Sequence, residues 1–284
     1  MFVPRRIVEE KLRQILADDI GQGDVTAAAI IPANLTVKAE VIAKEDGVVA
    51  GIEEATFLAE YLGLTVKSKV ADGEKIKNTQ VLLQISGDAQ TILSVERTML
   101  NLLSRMSGIA TKTRTLAEKL EKANGKTRIA ATRKSAPGLL YFDKKAVVIG
   151  GGDPHRLHLD DMVLIKDNHL AIIGSVEEAV KKAKAQGSFS KKIEVEVTDV
   201  EDALKAANAG ADIVMLDNFS PKQAKAAGEA LRKAGFSKLM LEVSGGITCE
   251  NLLDYAQADV DIISMGELTH SVKALDISLE IVKE

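Results

Sequence analysis

The chain is poor in aromatic residues and in cysteine. It has no tryptophan, and aromatic residues make up 3% of its 284 residues. Few rings are therefore available for nucleic-acid bases to stack on, and a net charge of −4 leaves no broad basic face, so the composition argues against nucleic-acid binding. The single cysteine, Cys249, excludes a disulfide within the chain and a thiolate metal site, and it fits a reducing cytoplasm.

Long apolar runs are missing as well. No stretch approaches the roughly 18 consecutive apolar residues of a membrane-spanning helix. The N-terminal segment MFVPRRIVEEKLRQILADD contains basic residues with no apolar core behind them. We therefore expect an amphipathic helix there, not a signal peptide. The sequence predicts a soluble cytoplasmic protein that does not associate with membranes.

The first part of the chain has the pattern of a small mixed domain. Short strands alternate with glycine-containing turns in LTVKAEVIAKEDGVVAG and in VKSKVADGEKIKNTQVLLQISGD. A strongly helical stretch follows, TILSVERTMLNLLSRMSGIATKTRTLAEKLEKA, in which Gly108 predicts a break. We expect an N-terminal α+β sandwich domain over residues 1–108, joined by a C-terminal helix over residues 268–284.

The remaining chain alternates strands and helices. The expected strands are the apolar runs TRIAAT, AVVIG, MVLIK, IEVEV, DIVMLD, KLMLEV and VDIISM. Continuous apolar strands between helical segments indicate a buried parallel sheet. The predicted fold class is therefore α/β, an incomplete (open) β/α barrel of about seven parallel strands, over residues 109–267.

Charged residues and glycines follow these strands, at the end where β/α barrels build their active sites. Cations follow the early strands, acids the middle strands and glycines the late strands: Thr132, Arg133, Lys134, His155, Arg156, Lys166, Glu194, Glu196, Asp217, Ser244, Gly245, Gly246 and Gly266. Arginine binds carboxylates bidentately, lysine supplies a point charge, and glycine-rich turns offer backbone N–H groups to phosphate. The pattern predicts a substrate with several negative charges.

The acidic pair Glu196 and Asp217 has more than one interpretation. The two carboxylates suit a divalent cation, bound directly or through water, but they also suit ribose hydroxyls or a developing cationic carbon. In a purely structural interpretation, Glu194 or Glu196 pairs with a lysine of the barrel interior, and Arg133 and Lys134 are a solvated pair. The functional interpretation is favoured because the signals coincide at one end of one barrel.

Several motifs occur in the order found in quinolinate phosphoribosyltransferases. They are ATRKSAPG, GGGDPHRLHLDDMVLIKDNH, EVEV, LDNF, EVSGGI and MGELTHS, preceded by ILADDIGQGDVT and ERTMLNLLSRMSGIAT. The chain resembles this family along essentially its whole length. The resemblance implies transfer of a phosphoribosyl group from 5-phosphoribosyl-1-pyrophosphate to quinolinate with decarboxylation. The products would be nicotinate mononucleotide, pyrophosphate and carbon dioxide, in de novo NAD biosynthesis, with Mg²⁺ as cofactor.

The resemblance also implies roles for individual residues. The quinolinate-binding residues would be Arg97, Thr132, Arg133, His155, Arg156 and Lys166. The residues binding 5-phosphoribosyl-1-pyrophosphate would be Lys134, Glu196, Asp217, Ser244, Gly245, Gly246, Ser264, Met265 and Gly266. Lys134, Glu196 and Asp217 would be catalytic, and the two acids would hold Mg²⁺, directly or through water. Arg97 would reach the neighbouring subunit's site, so we expect a homo-oligomer, at least a dimer, with a hexamer also open.

One departure from the family pattern and three alternatives stand beside this prediction. Ser135 and Ala136 stand where members of the family commonly have two threonines, or a threonine and a bulkier residue. We expect tuned activity because serine keeps a hydroxyl. A related group associated with molybdenum transport typically lacks an intact IKDNH, so Lys166 in this motif argues against it. A nicotinate phosphoribosyltransferase would need fewer cations. A non-catalytic anion-binding protein would have no use for Glu196 and Asp217.

Overall fold

The computed structural model describes residues 3–123 and 125–282. Its first elements are α1 (Arg5–Ile20), α2 (Val25–Ile30), β1 (Thr36–Ala43), β2 (Gly47–Val48), α3 (Ile52–Tyr61), β3 (Thr65–Ser68), β4 (Lys75–Ile76), β5 (Val81–Asp88) and α4 (Ala89–Ala123). They are followed by β6 (Arg128–Ala131), α5 (Leu140–Ile149), β7 (Val163–Ile165), α6 (Asp167–Ile173), α7 (Val176–Gln186), β8 (Ile193–Val197), α8 (Val200–Ala209), β9 (Ile213–Asp217), α9 (Pro221–Lys233), β10 (Met240–Ser244), α10 (Leu252–Ala256), β11 (Ile262–Met265), α11 (Glu267–His270) and β12 (Ile277–Ile281).

The first of two compact units comprises residues 3–114, Tyr141–Gly151 and 272–282. Its main sheet is antiparallel, with the strand order β12-β1-β5-β3. Strand β1 alternates buried Ala39, Val41 and Ala43 with more exposed residues, because successive side chains of a strand point to opposite faces. The contacts divide the chain inside α4, after residue 114, and the domain boundary after residue 108 stays a prediction.

Gly108 does not break α4. The helix continues from Ala89 to Ala123, and a Cβ atom at Gly108 would lie 2.1 Å from the carbonyl oxygen of Lys273. The glycine thus allows the C-terminal chain of the same unit to approach the helix backbone. The predicted break was wrong because a single glycine costs a helix only about 1 kcal/mol, which packing readily outweighs.

Gly108→Ala should lower the thermal stability of the protein. Helix propensity alone would favour alanine by about 1 kcal/mol, but the collision with a backbone carbonyl forces a shift that typically costs about 1–3 kcal/mol. Gly228→Ala in α9 is the matched control, since a Cβ there would meet Leu241 Cδ1 at 3.4 Å, an ordinary contact. We expect Gly228→Ala to hold or raise the Tm in thermal unfolding, and equal Tm values for the two variants would contradict this account.

The second unit, residues 115–140 and Gly152–Ser271, contains a parallel sheet. Within the described residues its order is β6-β11-β10-β9-β8-β7, so β6 and β7 are the edges of an open structure. A single parallel bridge between Ala130 and Asp153 extends the sheet beyond β6. The predicted α/β class with an open parallel barrel is confirmed, with six paired strands in place of about seven.

Helices α7, α8 and α9 begin at side chains that cap their free N–H groups. The capping residues are Ser175, Asp199 and Ser220, and each accepts a hydrogen bond from the backbone three residues later. The helices separate the strands along the chain, as expected for β/α units. Among the described residues, no helix combines the length and the apolar character that crossing a bilayer would take.

The segment AVVIG is not the predicted second strand, because its first four residues are helical and Gly150 follows them in a turn. These four residues form the end of α5, in which Phe142, Ala146 and Val147 are buried while Val148 is 39% exposed. Arg114 donates hydrogen bonds to the carbonyl groups of the last turn, at Ile149 and Gly150 (2.9 and 3.1 Å). The prediction was wrong because a short apolar run has no periodicity that distinguishes a strand from a buried helix.

The predicted C-terminal helix over residues 268–284 is also wrong. Helix α11 ends at His270, and the chain then forms strand β12, which pairs antiparallel with β1. In β12, Ile277, Leu279 and Ile281 alternate with polar residues, which is the period of a strand. Residues 283 and 284 of the predicted helix lie outside the described residues.

Candidate active site

The C-terminal ends of the parallel strands surround a cavity of about 490 Å³ in the second unit. The predicted residues that line it are Thr132, Arg133, Lys134, His155, Arg156, Lys166, Glu196, Asp217, Ser244, Gly245, Gly246 and Ser264. Sequence reasoning missed the lining residues Ala131, Leu164, Met215, Asn218 and Glu242. Parallel strands place their carboxyl ends at one edge, so residues far apart in sequence come together there.

Three predicted residues are not among those that line the cavity. Met265 is buried in the core with 1% exposure. Gly266 lies beside a cavity residue, because a Cβ at this position would come within 3.0 Å of Lys134 Cδ. Arg97 belongs to the first unit, where it is exposed on α4 and contacts Glu96 at 3.9 Å.

The loop after β6 carries two of the cations and is fixed by hydroxyl groups. The backbone N–H of Lys134 donates to Thr132 Oγ1 at 3.1 Å, and Thr269 Oγ1 donates to the carbonyl oxygen of Lys134 at 2.7 Å. Burial and the charge of Arg133 both lower the pKa of Arg156 from its usual value. Two guanidinium groups that repel each other in one cavity favour an anionic ligand between them.

The motif IKDNH places Lys166 at the cavity. The backbone N–H of Lys166 donates to His169 Nδ1 at 2.9 Å, which fixes the turn between β7 and α6. The Lys166 ammonium lies 3.2 Å from Glu196 Oε2, with the lysine side chain 44% exposed. A partly exposed ion pair of this kind contributes little net stability. Lys166 can therefore exchange Glu196 for another anionic partner at little cost.

Two fully buried carboxylates, Glu194 and Glu242, contact His155, and Glu242 is also part of the cavity lining. His155 Nε2 is 3.2 Å from Glu242 Oε2 and 3.4 Å from Glu194 Oε2. Burial alone would lower the pKa of His155, but hydrogen bonding to Glu194 and Glu242 and their charges raise it to about 10. Burial raises the pKa of Glu194, although its hydrogen bond to His155 and the charges of His155 and Arg156 oppose the shift. The backbone N–H of Arg156 donates to His155 Nδ1 at 2.8 Å, and this hydrogen bond must break when the ring takes up a second proton.

The stability that His155 contributes should fall as the pH rises. Because the pKa of His155 is raised above the ordinary value of about 6.5, its contribution to stability is complete below about pH 6.5. It is then lost as the pH passes through about 10. We expect the Tm difference between the wild type and His155→Gln to shrink between about pH 6 and pH 10.5. The same comparison in a Glu242→Gln background should shrink less, and a constant difference in both backgrounds would contradict a charged His155.

His155 and Asn218 both have backbone angles that non-glycine residues rarely adopt. Their φ values are 52° and 57°, in the left-handed region. Each follows a site segment: Asn218 comes directly after β9, and His155 lies two residues after the bridge at Asp153. Such conformations concentrate at functional sites, where the surrounding structure holds them.

A larger cavity, of about 580 Å³, lies in the first unit but lacks this chemistry. The cations in its lining are Arg5 and Lys145. Arg5 is paired with Glu9 at 2.8 Å, and Lys145 with Glu54 at 2.8 Å. Because acids of the same cavity already neutralise both cations, its size does not make it a site for a polyanionic substrate. The cavity at the strand ends is the candidate active site.

Two protein-family models match the chain. Residues 24–107 match the N-terminal domain and residues 109–280 the C-terminal domain of quinolinate phosphoribosyl transferase. The chain belongs to the quinolinate phosphoribosyl transferase family. The cavity lies entirely within the part that matches the C-terminal domain model of this family.

Similar proteins carry a consistent name. A probable nicotinate-nucleotide pyrophosphorylase (carboxylating) from Methanothermobacter thermautotrophicus is 46% identical over 271 residues, 95% of this chain and 97% of its own length. The protein of the same name from Methanocaldococcus jannaschii is 48% identical, over 96% of both chains. The solved structure of the nicotinate-nucleotide pyrophosphorylase from Francisella tularensis superposes with a TM-score of 0.90 at 36% identity, covering 99% of this chain and 98% of its own.

Proposed function

We propose that this protein is a carboxylating nicotinate-nucleotide pyrophosphorylase. It transfers the phosphoribosyl group of 5-phosphoribosyl-1-pyrophosphate to quinolinate and releases pyrophosphate and carbon dioxide, which yields nicotinate mononucleotide for NAD biosynthesis. The observation that carries the proposal is that four cations and two acids line the same cavity: Arg133, Lys134, Arg156, Lys166, Glu196 and Asp217. Family membership along both domains supports it.

The cations of the early strands bind quinolinate. Arg133, Arg156 and Lys166 neutralise its two carboxylates, and Thr132 offers a hydroxyl beside them. His155 has protein partners at both ring nitrogens, so it offers the substrate no free N–H group and shapes the wall of the cavity beside the cations. These contacts orient the pyridine nitrogen toward the ribose, which lowers the entropic cost of the transfer.

In the transfer step negative charge develops on the departing pyrophosphate and positive charge on the ribose carbon. The cavity contains residues that stabilise each of these charges. Lys134 compensates the negative charge that develops on the departing pyrophosphate. Glu196 and Asp217 stabilise the positive charge that develops at the ribose carbon as its bond to pyrophosphate breaks. Preorganised electrostatic groups of this kind usually supply the largest catalytic effect. The ring nitrogen then bonds to the ribose carbon. The adjacent bond between the ring and its carboxylate breaks to release carbon dioxide, the quaternised ring stabilises the electron pair left on that ring carbon, and a proton from water completes the product.

Residues Ser244, Gly245, Gly246 and Ser264 line the late-strand side of the cavity. Backbone N–H groups and hydroxyls there bind the 5-phosphate, as they do after the last strands of related barrels. Ser264 Oγ is buried and has no hydrogen-bond partner among the described residues, which suits an acceptor on a ligand. Met265, the last residue of β11, and Gly266, the first residue after it, contribute to this part of the site through their backbone.

The donor set at Glu196 and Asp217 fits Mg²⁺, which prefers oxygen ligands from one or two carboxylates and completes its shell with water and substrate phosphates. These residues would hold the ion, directly or through water. When bound, Mg²⁺ supplies charge neutralisation on the pyrophosphate. Neither acid is committed to an arginine in this structure: Glu196 contacts Lys166, and Asp217 accepts a hydrogen bond from Asn218.

The active assembly is at least a dimer, in which Arg97 of one subunit completes the quinolinate site of the other. The support is that Arg97 is exposed on α4, with its side chain 67% accessible and its Glu96 contact as long as 3.9 Å. An arginine with so loose an internal contact is available to a carboxylate. A cytoplasmic location, suggested by the single cysteine, completes the proposal.

Mixing two inactive variants should restore activity if Arg97 acts across the interface. Arg97→Ala alone should lose quinolinate affinity while it still folds, and Asp217→Asn should lose turnover. Unfolding and refolding the two together should recover roughly a quarter of wild-type activity, since a symmetric mixed dimer keeps one intact site. Recovery in the mixture, with none in either parent, is the expected result, whereas an unchanged KM of Arg97→Ala for quinolinate would remove Arg97 from the site.

Product analysis tests the reaction. Purified protein with Mg²⁺, quinolinate and 5-phosphoribosyl-1-pyrophosphate should form nicotinate mononucleotide, pyrophosphate and carbon dioxide in equimolar amounts. Pyrophosphate released without carbon dioxide would mean that the acceptor is not decarboxylated and would contradict the proposal.

A further inference from the structure

Asn218 makes two contacts that connect the ends of neighbouring strands. Its backbone N–H donates to the carbonyl oxygen of Ser244 at 2.9 Å, which joins the end of β9 to the end of β10. Its side-chain Nδ2 donates to Asp217 Oδ2 at 2.6 Å. The left-handed φ of 57° turns the residue so that both contacts form at once. Asparagine is among the few non-glycine residues that tolerate this conformation.

Gly245 leaves the space that the Asn218 side chain occupies. A Cβ at Gly245 would lie 2.3 Å from Asn218 Oδ1, 2.7 Å from its Cγ and 2.9 Å from its backbone nitrogen. The next glycine differs, because a Cβ at Gly246 would meet no atom within 4 Å. The two adjacent glycines of EVSGGI are therefore required for different reasons. Gly245 accommodates a side chain of the protein, whereas Gly246 borders open space at the cavity.

We infer that Asn218 is a positioning residue that holds the Asp217 carboxylate in place through its Nδ2–H, and that position 245 is glycine to make room for it. The inference rests on the proposed function, in which Asp217 acts at the ribose. Because Asn218 occupies Oδ2, the other oxygen, Oδ1, remains for the substrate or its metal ion. A carboxylate held in one orientation need not reorganise during the transfer, and this preorganisation favours the step.

The test compares Asn218→Gly with Asn218→Ala. Glycine adopts the left-handed backbone without strain and removes only the side chain, whereas alanine removes the side chain and adds strain. We expect the kcat of both variants to fall by roughly tenfold. This is the lower end of the effect of losing a hydrogen bond to a charged group, and it applies because Asn218 is exposed. The KM for quinolinate should change by less than about twofold, because the cations that bind it are untouched. If Asn218→Gly keeps kcat within about twofold of the wild type, Asn218 only shapes the turn and the inference fails.

A crystal structure of Asn218→Gly separates this inference from the proposed function. The inference expects the Asp217 carboxylate to leave its orientation or to occupy more than one rotamer, whatever substrate the enzyme uses. An Asp217 side chain that stays in its single position would overturn it. Inactivity of the wild type with quinolinate would instead count against the proposed function alone.

The glycine pair supplies a matched control for the steric part. Gly245→Ala and Gly246→Ala both place a side chain at positive φ, 89° and 61° respectively, so both variants carry backbone strain. We expect Gly245→Ala to have the lower Tm, because its Cβ also meets Asn218. In an Asn218→Gly background the Tm difference between the two should shrink, since Oδ1 and Cγ are gone. A difference that does not shrink would show that the Asn218 side chain is not what requires Gly245.

Discussion

Arg156→Ala should raise the KM for quinolinate by roughly tenfold to a hundredfold, with a smaller effect on kcat. Hydrogen bonds to charged groups contribute about 1.5–3 kcal/mol, and alanine removes both the charge and the planar fork that matches a carboxylate. Burial and Arg133 already lower the pKa of Arg156, so the guanidinium gains more from an anionic partner than an isolated surface arginine does. Steady-state kinetics with quinolinate as the varied substrate measures the effect.

Two further variants define what Arg156 contributes. Arg156→Lys keeps a charge but not the bidentate geometry, so its KM should lie between those of the wild type and Arg156→Ala. Arg128→Ala is the matched control, because Arg128 is exposed at the other end of β6 in the same unit, and its KM should be unchanged. An Arg156→Ala enzyme with wild-type KM for quinolinate would remove this residue from the substrate site.

Asp217→Asn should lower kcat by roughly a hundredfold to a thousandfold, the range seen when one preorganised electrostatic group is lost. Asp217 is the last residue of β9 and lines the cavity. Asparagine keeps its size but not the negative charge that stabilises the ribose carbon. The KM for quinolinate should change little, because the cationic residues remain. Single-turnover kinetics would place the loss in the transfer step itself.

The same charge change elsewhere in the second unit is the control for Asp217. Asp254 is exposed on α10, and Asp254→Asn should keep kcat within about twofold, as expected for a surface position. A thousandfold loss in Asp217→Asn beside normal turnover in Asp254→Asn would support a catalytic charge. Equal, small effects in both variants would mean that Asp217 does not act on the reacting carbon.

The sequence predicts which cations and acids lie at the cavity, because the apolar runs show where the parallel strands end. Lys166, Glu196 and Asp217 each lie at or beside the end of an apolar run, and parallel strands bring such ends together. Glu242 was missed although a signal exists: it is a charged residue within the apolar strand KLMLEV. An acid inside a fully buried strand is rare without a partner, and here that partner is His155.

Other features could not be read from the sequence. Asn218 follows Asp217 in the chain, but its role depends on the left-handed backbone and on the space at Gly245, which are both tertiary. The run AVVIG is equally apolar as a strand or as a buried helix, so its end in α5 is decided by packing. The proposed role of Arg97 depends on a second subunit, and one sequence does not show where that subunit would bind.

The central claim is that the cavity binds a dicarboxylate specifically and that this substrate accepts the phosphoribosyl group. The most direct measurement offers the purified protein quinolinate or nicotinate in parallel, with Mg²⁺ and 5-phosphoribosyl-1-pyrophosphate. The account predicts mononucleotide and carbon dioxide from quinolinate and no turnover of nicotinate, which lacks the second carboxylate. Turnover of nicotinate alone would contradict the assignment of the cations. If the folded protein turned over neither substrate, the result would indicate an anion-binding protein instead.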